Sequence, residues 1–162
     1  MNIFYLDKDY SICSRYHCDK HVVKMILEYA QLLSTAHRIL DNKSDYCDSI
    51  SLPKTTHKNH PCSLWTRKSK NNYIWLYNLL YCLELEYEFR YNKIHMYKVL
   101  LNYLKNVPSN ISDDKFIDPP LCMPEYCKIK NDTVSSYRNY YLNEKMYFLK
   151  YKNREFPYWI II

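Results

Sequence analysis

Glycine is absent from all 162 residues of this chain. Glycine-rich phosphate loops and the dinucleotide-binding fingerprint need backbone that turns at positive φ or approaches phosphate closely, so the common nucleoside-triphosphate and dinucleotide chemistries are disfavoured. There is also no CxxC pair. The seven cysteines, at positions 13, 18, 47, 62, 82, 122 and 127, are odd in number and fall mostly in helix-like segments. That pattern reads as reduced, intracellular thiols rather than a disulfide framework. No apolar run reaches the roughly 18 residues that a membrane span needs, and "MNIFYLDKDY" lacks the basic-then-apolar pattern of a secretory signal.

What is present reads as one globular domain: 48% of residues are hydrophobic and 25% charged, enough apolar surface to bury a core without staples. The 19 tyrosines stand out; codon bias in an AT-rich genome and a functional role both account for them. The net charge of +6 and a pI near 8.8 favour a polyanionic partner without requiring one.

The periodicity predicts an all-α domain of three long helices plus short ones, with two long loops. Residues 2–6, "NIFYL", form a short strand or an extended arm tucked into the core. A helix is expected from about Ser14 to Leu40, with some of its first turn open to being a separate short piece; Val22, Val23, Ile26, Leu27, Ala30, Leu33 and Ala36 or His37 recur at three- and four-residue spacing. Residues 41–60 read as a surface loop, and loops of that length are often functional. Pro61 then opens a long helical pattern that runs to Tyr91. A third helix is expected over "KIHMYKVLLNYLKNV", ending at Pro108. Four prolines between 108 and 124 predict an irregular connection. A further helix restarts behind an Asn, Asp or Thr cap near residue 132, and the closing "PYWIII" packs on the body.

Three constellations carry chemistry. In "HCDKHVVKMILEYAQLLSTAHR", His17 and His21 stand four apart and share a helix face, a spacing that suits a zinc pair with Cys18, Cys13 or His37; hydrogen-bonded histidines are the favoured reading. Glu28 lies two turns beyond His21 on nearly the same face. Apolar neighbours suit it to general acid or base work, while a surface pair with Lys24 competes as an explanation. The second constellation is "THKNHP", where His57, Asn59 and His60 at a helix mouth suit phosphate oxygens or base edges, or else satisfy backbone groups. The third is the C-terminal run in which tyrosines alternate with Arg138, Lys145, Lys150, Lys152 and Arg154. Such interleaving suits a nucleic-acid surface, as it also suits half-buried packing.

Taken together, "CDKHVVKMILEYAQLLSTAHR" and "HKNHPCSLWTRKSKNNYIWLYNLLYCLELEYEFR" resemble the pyrimidine-dimer DNA glycosylases of the phage endonuclease V type, most strongly over residues 15–95. In that family a helix carries an Asp, a His two residues on, and a catalytic Glu seven beyond the His; Asp19, His21 and Glu28 occupy those positions. The resemblance implies that Glu28 stabilises an oxocarbenium-like sugar and assists proton transfer, and that His21 supports the sugar-phosphate. It also implies a compact helical fold and an amine nucleophile at the N-terminus. The family exposes a Thr amine by removing the initiator Met. Here the Met1-Asn2 start keeps the Met, so the amine is that of Met1 itself, or of Lys20 or Lys24. Leu27 and Gln31 stand where the family places basic residues.

The expectation is therefore a DNA glycosylase with AP-lyase activity. It would bind duplex DNA with a displaced base through His17, Lys20, Lys24, His57, Asn59, His60, Arg67, Lys68, Lys70, Arg138 and Lys145, with Glu28, His21 and Met1 as the catalytic set. No metal, organic cofactor, membrane or protein partner is expected. Composition and resemblance point to a virus or phage, hence to an infected cell or a virion. The alternative is a non-catalytic nucleic-acid or nucleotide-binding protein with a pocket built from His17, His21, His37, His57 and His60.

Overall fold

Two helices of 22 residues form the frame: α2, Asp19–Leu40, and α5, Lys70–Tyr91. In the computed structural model, which describes residues 1–41 and 44–160, five shorter α-helices join them. These are α1 (Tyr10–Tyr16), α3 (Ser44–Ser49), α4 (Pro61–Lys68), α6 (Leu101–Leu104) and α7 (Thr133–Glu144). The described residues contain no strand, so the all-α expectation holds. Residues 2–6 are an extended arm without strand pairing, and Ile3, Phe4, Tyr5 and Leu6 are buried in the core.

The first turn of the pattern from Ser14 to Leu40 belongs to a separate short helix, because His17 and Cys18 adopt extended backbone. Asp9 caps α1 by accepting from the N–H groups of Ser11 and Ile12, which satisfies donors that a helix start leaves free. At the other end the His17 ring donates from Nδ1 to the Cys13 carbonyl at 2.8 Å. Its Nε2 accepts from the Tyr29 hydroxyl at 3.0 Å, and that hydroxyl accepts in turn from the Phe4 N–H at 3.1 Å. One buried chain of hydrogen bonds thus ties the arm, α1 and α2.

The pattern from Pro61 to Tyr91 is likewise two helices, broken at Ser69. Its extended backbone (φ −146°, ψ 153°) ends α4, and its side chain caps α5 by accepting from the Asn72 N–H. Asn92 closes α5 in the left-handed conformation at φ 51°, a region asparagine tolerates better than most residues. Beyond it the expected third long helix shrinks to a 3₁₀ turn, Met96–Leu100, leading into the single turn of α6. Ile94, Met96 and Val99 are each more than 70% exposed, so this stretch has no continuous buried face to hold a long helix.

The proline-rich stretch after α6 runs irregularly over the surface, apart from a 3₁₀ turn at Glu125–Cys127. Trp65 Nε1 donates to the Ile117 carbonyl at 2.8 Å and the Tyr137 hydroxyl to the Pro120 carbonyl at 2.6 Å, which fastens the segment to α4 and α7. α7 starts behind the Asp132 cap and stops at Glu144 rather than continuing through the basic tyrosine run. Of the closing segment, Ile160 is buried in the core and Trp159 packs against it; Ile161 and Ile162 lie outside the described residues, as do Asn42 and Lys43 of the expected long loop.

The tail is fastened by a buried guanidinium. Arg90 is 1% exposed and donates to Asp19 (2.9 Å), Glu86 (2.7 Å) and the Arg15 carbonyl (2.9 Å). Asp19 also accepts from the Lys152 N–H at 3.0 Å, and Arg154 grips Glu86 from the other side at 2.8 Å. Asp19, the first residue of the family-like triplet, therefore positions the start of α2 and the C-terminal tail.

Candidate functional site: an amine, a carboxylate and a thiol pair

The buried arm delivers the N-terminus to the middle of α2. The Met1 α-amine lies 3.8 Å from Glu28 Oε2, with the Met1 side chain 3% exposed and that of Glu28 14% exposed. Lys24, one turn earlier and exposed, reaches the other oxygen of the same carboxylate at 3.4 Å. Glu28 thus bridges the N-terminal amine and a surface cation. The expected pair with Lys24 is present, and the same carboxylate faces the N-terminal amine.

Asn2 holds the arm in place, donating from Nδ2 to the Cys122 carbonyl at 2.8 Å. Beside it stands His60, the N-cap of α4, whose ring nitrogen Nδ1 accepts from the Cys62 N–H at 3.1 Å. Burial, then the charge of the Met1 amine, lower the His60 pKa, against a smaller opposing pull from Glu28. Cys62 opens the helix in the core, and its Sγ is 3.7 Å from Cys122 Sγ. The two thiols behave as a pair. The hydrogen bond from Cys62, helped by the Met1 amine and Lys128, brings Cys122 down to about 7, while the same contact and burial push Cys62 up.

His21 is on the same helix as Glu28 but in a drier setting. It is 7% exposed, stacks on Phe4 with ring centroids 4.2 Å apart and bonds through Nδ1 to the Tyr141 hydroxyl at 2.6 Å. Burial, followed by the charges of His17, Lys145 and Lys24, lowers its pKa to about 3. The ring is neutral at physiological pH, so it can meet a sugar or base edge but not neutralise a phosphate. Cations rim this end: Lys20 lies over the Phe148 ring and Lys145 over the Tyr140 ring, each at 4.7 Å.

Several expected residues lie elsewhere or are otherwise engaged. His17 is fully buried with both ring nitrogens bonded, so it cannot contact DNA; burial lowers its pKa to about 4. The zinc pair of His17 and His21 is also ruled out, since the His17 nitrogens are committed to the Cys13 carbonyl and Tyr29. Arg138 is spent on the fold: it donates to the Leu6 carbonyl, to Asp7 and to Tyr158. Tyr137 and Tyr141 are core residues, so much of the tyrosine run is packing. The five-histidine pocket does not form, because His37 is buried against Asp41, Tyr73 and the Asn106 carbonyl.

Arg67 and Lys68 line a separate open cleft of about 690 Å³ with Leu40, Leu64, Trp65 and Ile117. Lys70 is exposed at the start of α5, near the same end of α4. His57 and Asn59 are exposed in the turn before α4. His57 holds a left-handed backbone at φ 46°, with its Nδ1 2.6 Å from Thr56 Oγ1.

Sequence reasoning did not anticipate Cys62 and Cys122 as partners. The His60-x-Cys62 spacing was visible, but Cys122 comes from sixty residues further along. Among the described residues no helix is long and apolar enough to cross a membrane. Comparison with family models, with curated proteins and with solved structures finds no match to this chain.

Proposed function

We propose that the chain is a DNA-processing enzyme of the pyrimidine-dimer glycosylase type, one that cleaves the N-glycosidic bond of a damaged or modified base with the residue-1 amine and Glu28. The observation that carries this reading is the approach of the Met1 amine to Glu28, 3.8 Å apart, with both side chains largely buried. A nucleophilic amine paired with a carboxylate that can take its proton is the arrangement that iminium chemistry at a sugar carbon requires.

In this reading Glu28 accepts a proton from the ammonium and the freed nitrogen bonds to C1′ as the glycosidic bond breaks. The base leaves with the bonding electrons and takes up the proton. Opening of the sugar at O4′ gives a Schiff base, and loss of a C2′ proton then expels the 3′ phosphate. The Glu28 side chain is 14% exposed, so in this reading the target nucleotide has to leave the duplex stack to reach it. Lys20, Lys24, Lys145, His57 and Asn59 would meet the phosphates, which makes binding strongly salt-dependent.

The test is incubation with ultraviolet-irradiated duplex DNA, with and without borohydride, followed by denaturing electrophoresis and peptide mapping of any trapped adduct. A nicked product and an adduct on residue 1 are expected. Glu28→Gln should lose both while DNA binding and thermal stability stay within error. Binding without product on irradiated, abasic and untreated DNA refutes the reading, and an adduct on Lys20 or Lys24 refutes the role of the N-terminal amine.

A further inference from the structure

We infer that His60, Cys62 and Cys122 form a binding site for a thiophilic divalent cation, zinc in the first instance, with three protein ligands and a fourth position left to water. One ligand atom from each of the three residues lies within 4.8 Å of the other two. The spacing of the sulfurs is the telling quantity. Two thiolates bound to zinc at about 2.3 Å across a tetrahedral angle stand roughly 3.8 Å apart, and Cys62 and Cys122 already stand 3.7 Å apart. A disulfide would instead need the sulfurs to close to about 2.05 Å.

The donor set fits zinc rather than calcium or magnesium, because two sulfurs and an imidazole are soft ligands with no carboxylate among them. Two thiolates balance the 2+ charge, so the bound centre is neutral and tolerates burial. Cys62 is fully buried while His60 and Cys122 are partly exposed, which leaves an entry path from one side. His60 would exchange its cap bond to the Cys62 N–H for the metal or turn its other nitrogen inward. The ligands also come from two places sixty residues apart in the chain, the first turn of α4 and the irregular segment after α6. A bound ion would clamp that segment against the arm, where Asn2 already donates to the Cys122 carbonyl at 2.8 Å.

The site is independent of the glycosylase reading, and so is its test. The purified full-length chain, reduced and freed of metal, is titrated with Co²⁺ and then with Zn²⁺. One equivalent of Co²⁺ should give the visible bands of a tetrahedral site with thiolate charge transfer in the near ultraviolet, and Zn²⁺ should displace it. Cys122→Ser and His60→Ala should each weaken Co²⁺ binding by at least about tenfold, the loss that even the supporting residues around metal ligands typically cause. Cys82→Ser, which alters a cysteine on α5 outside the cluster, should leave it unchanged. Folded wild-type protein that shows no such bands and binds less than about a tenth of an equivalent of Zn²⁺ overturns the inference, whatever the variants do. Two of the seven thiols lost to a bond joining Cys62 and Cys122 in air-purified protein, with no metal uptake after reduction, overturns it in favour of a disulfide. Metal binding without DNA cleavage, or the reverse, separates this proposal from the one above.

Discussion

Replacing Arg90 with Met should destabilise the fold by about 3 kcal/mol, the lower part of the range for breaking a buried ion pair. Methionine keeps most of the aliphatic stem, so the loss is chiefly electrostatic. Without the guanidinium, Asp19 loses its 2.9 Å partner and Glu86 its 2.7 Å partner, and the Arg15 carbonyl loses its donor. The cost stays near the lower end because Glu86 retains Arg154 at 2.8 Å and Asp19 retains the Lys152 N–H. Arg154→Ala removes a half-exposed contact to the same carboxylate and should cost about 1 kcal/mol or less. Arg90→Lys should recover little, since an ammonium cannot make three bonds in the directions of a planar fork.

Urea unfolding with a shared m-value reads these differences as midpoint shifts. In a Glu86→Gln background the Arg90→Met cost should fall by about 1–2 kcal/mol, because no carboxylate is then left uncompensated at that position. A single-variant loss under about 1 kcal/mol, or a loss undiminished in the Glu86→Gln background, would refute the claim that this cluster carries the junction of α1, α2, α5 and the tail.

Glu84 gives a pH signature. It is 1% exposed, neither carboxylate oxygen has a hydrogen-bond partner among the described residues, and burial, with Glu88 adding and Lys98 opposing, pushes it from 4.5 to about 7. The folded state keeps a proton that the unfolded chain releases above 4.5, so Glu84 should make stability fall as pH rises from about 4.5 to 7. Glu84→Gln should therefore gain on the order of 2 kcal/mol over wild type at pH 8 and little at pH 4; denaturant titrations with parallel pH profiles would contradict this. Tyr29→Phe removes the hydroxyl that joins His17 Nε2 and the Phe4 N–H and should cost about 1–3 kcal/mol, read from the same unfolding curves. One residue added ahead of Met1 moves the amine away from Glu28, and should abolish adduct formation while the melting temperature changes little.

Much of this protein was legible in its residues. The buried face of α2 follows from Val22, Ile26, Ala30 and Leu33 at helical spacing, and the all-α class follows from the same pattern repeated along the chain. Proline marked the start of α4 and the irregular segment, because a missing N–H and a locked φ act wherever the residue stands. Glu28 and its exposed neighbour Lys24 were visible one turn apart. The break before α2 was legible only as an option and the break at Ser69 not at all, since each depends on a side chain replacing a helical partner: His17 on the Cys13 carbonyl, Ser69 on the Asn72 N–H.

Tertiary structure alone decided which polar residues do work. His17, Arg138 and Tyr141 have the same chemistry as groups that bind DNA, and their sequence neighbourhoods are as basic and aromatic. Burial converts His17 and Tyr141 into internal fastenings because an unpaired polar group in the core is costly, and the half-buried Arg138 is held by the Leu6 carbonyl and Asp7. The reverse holds for Met1, His60, Cys62 and Cys122, which mean little at separations of up to 121 residues. Only the path of the buried arm and the irregular segment brings an amine to one carboxylate and an imidazole and two thiols to one another. Local sequence sets helices through contacts three and four residues apart, whereas long-range approach depends on which surfaces the whole chain can bury together.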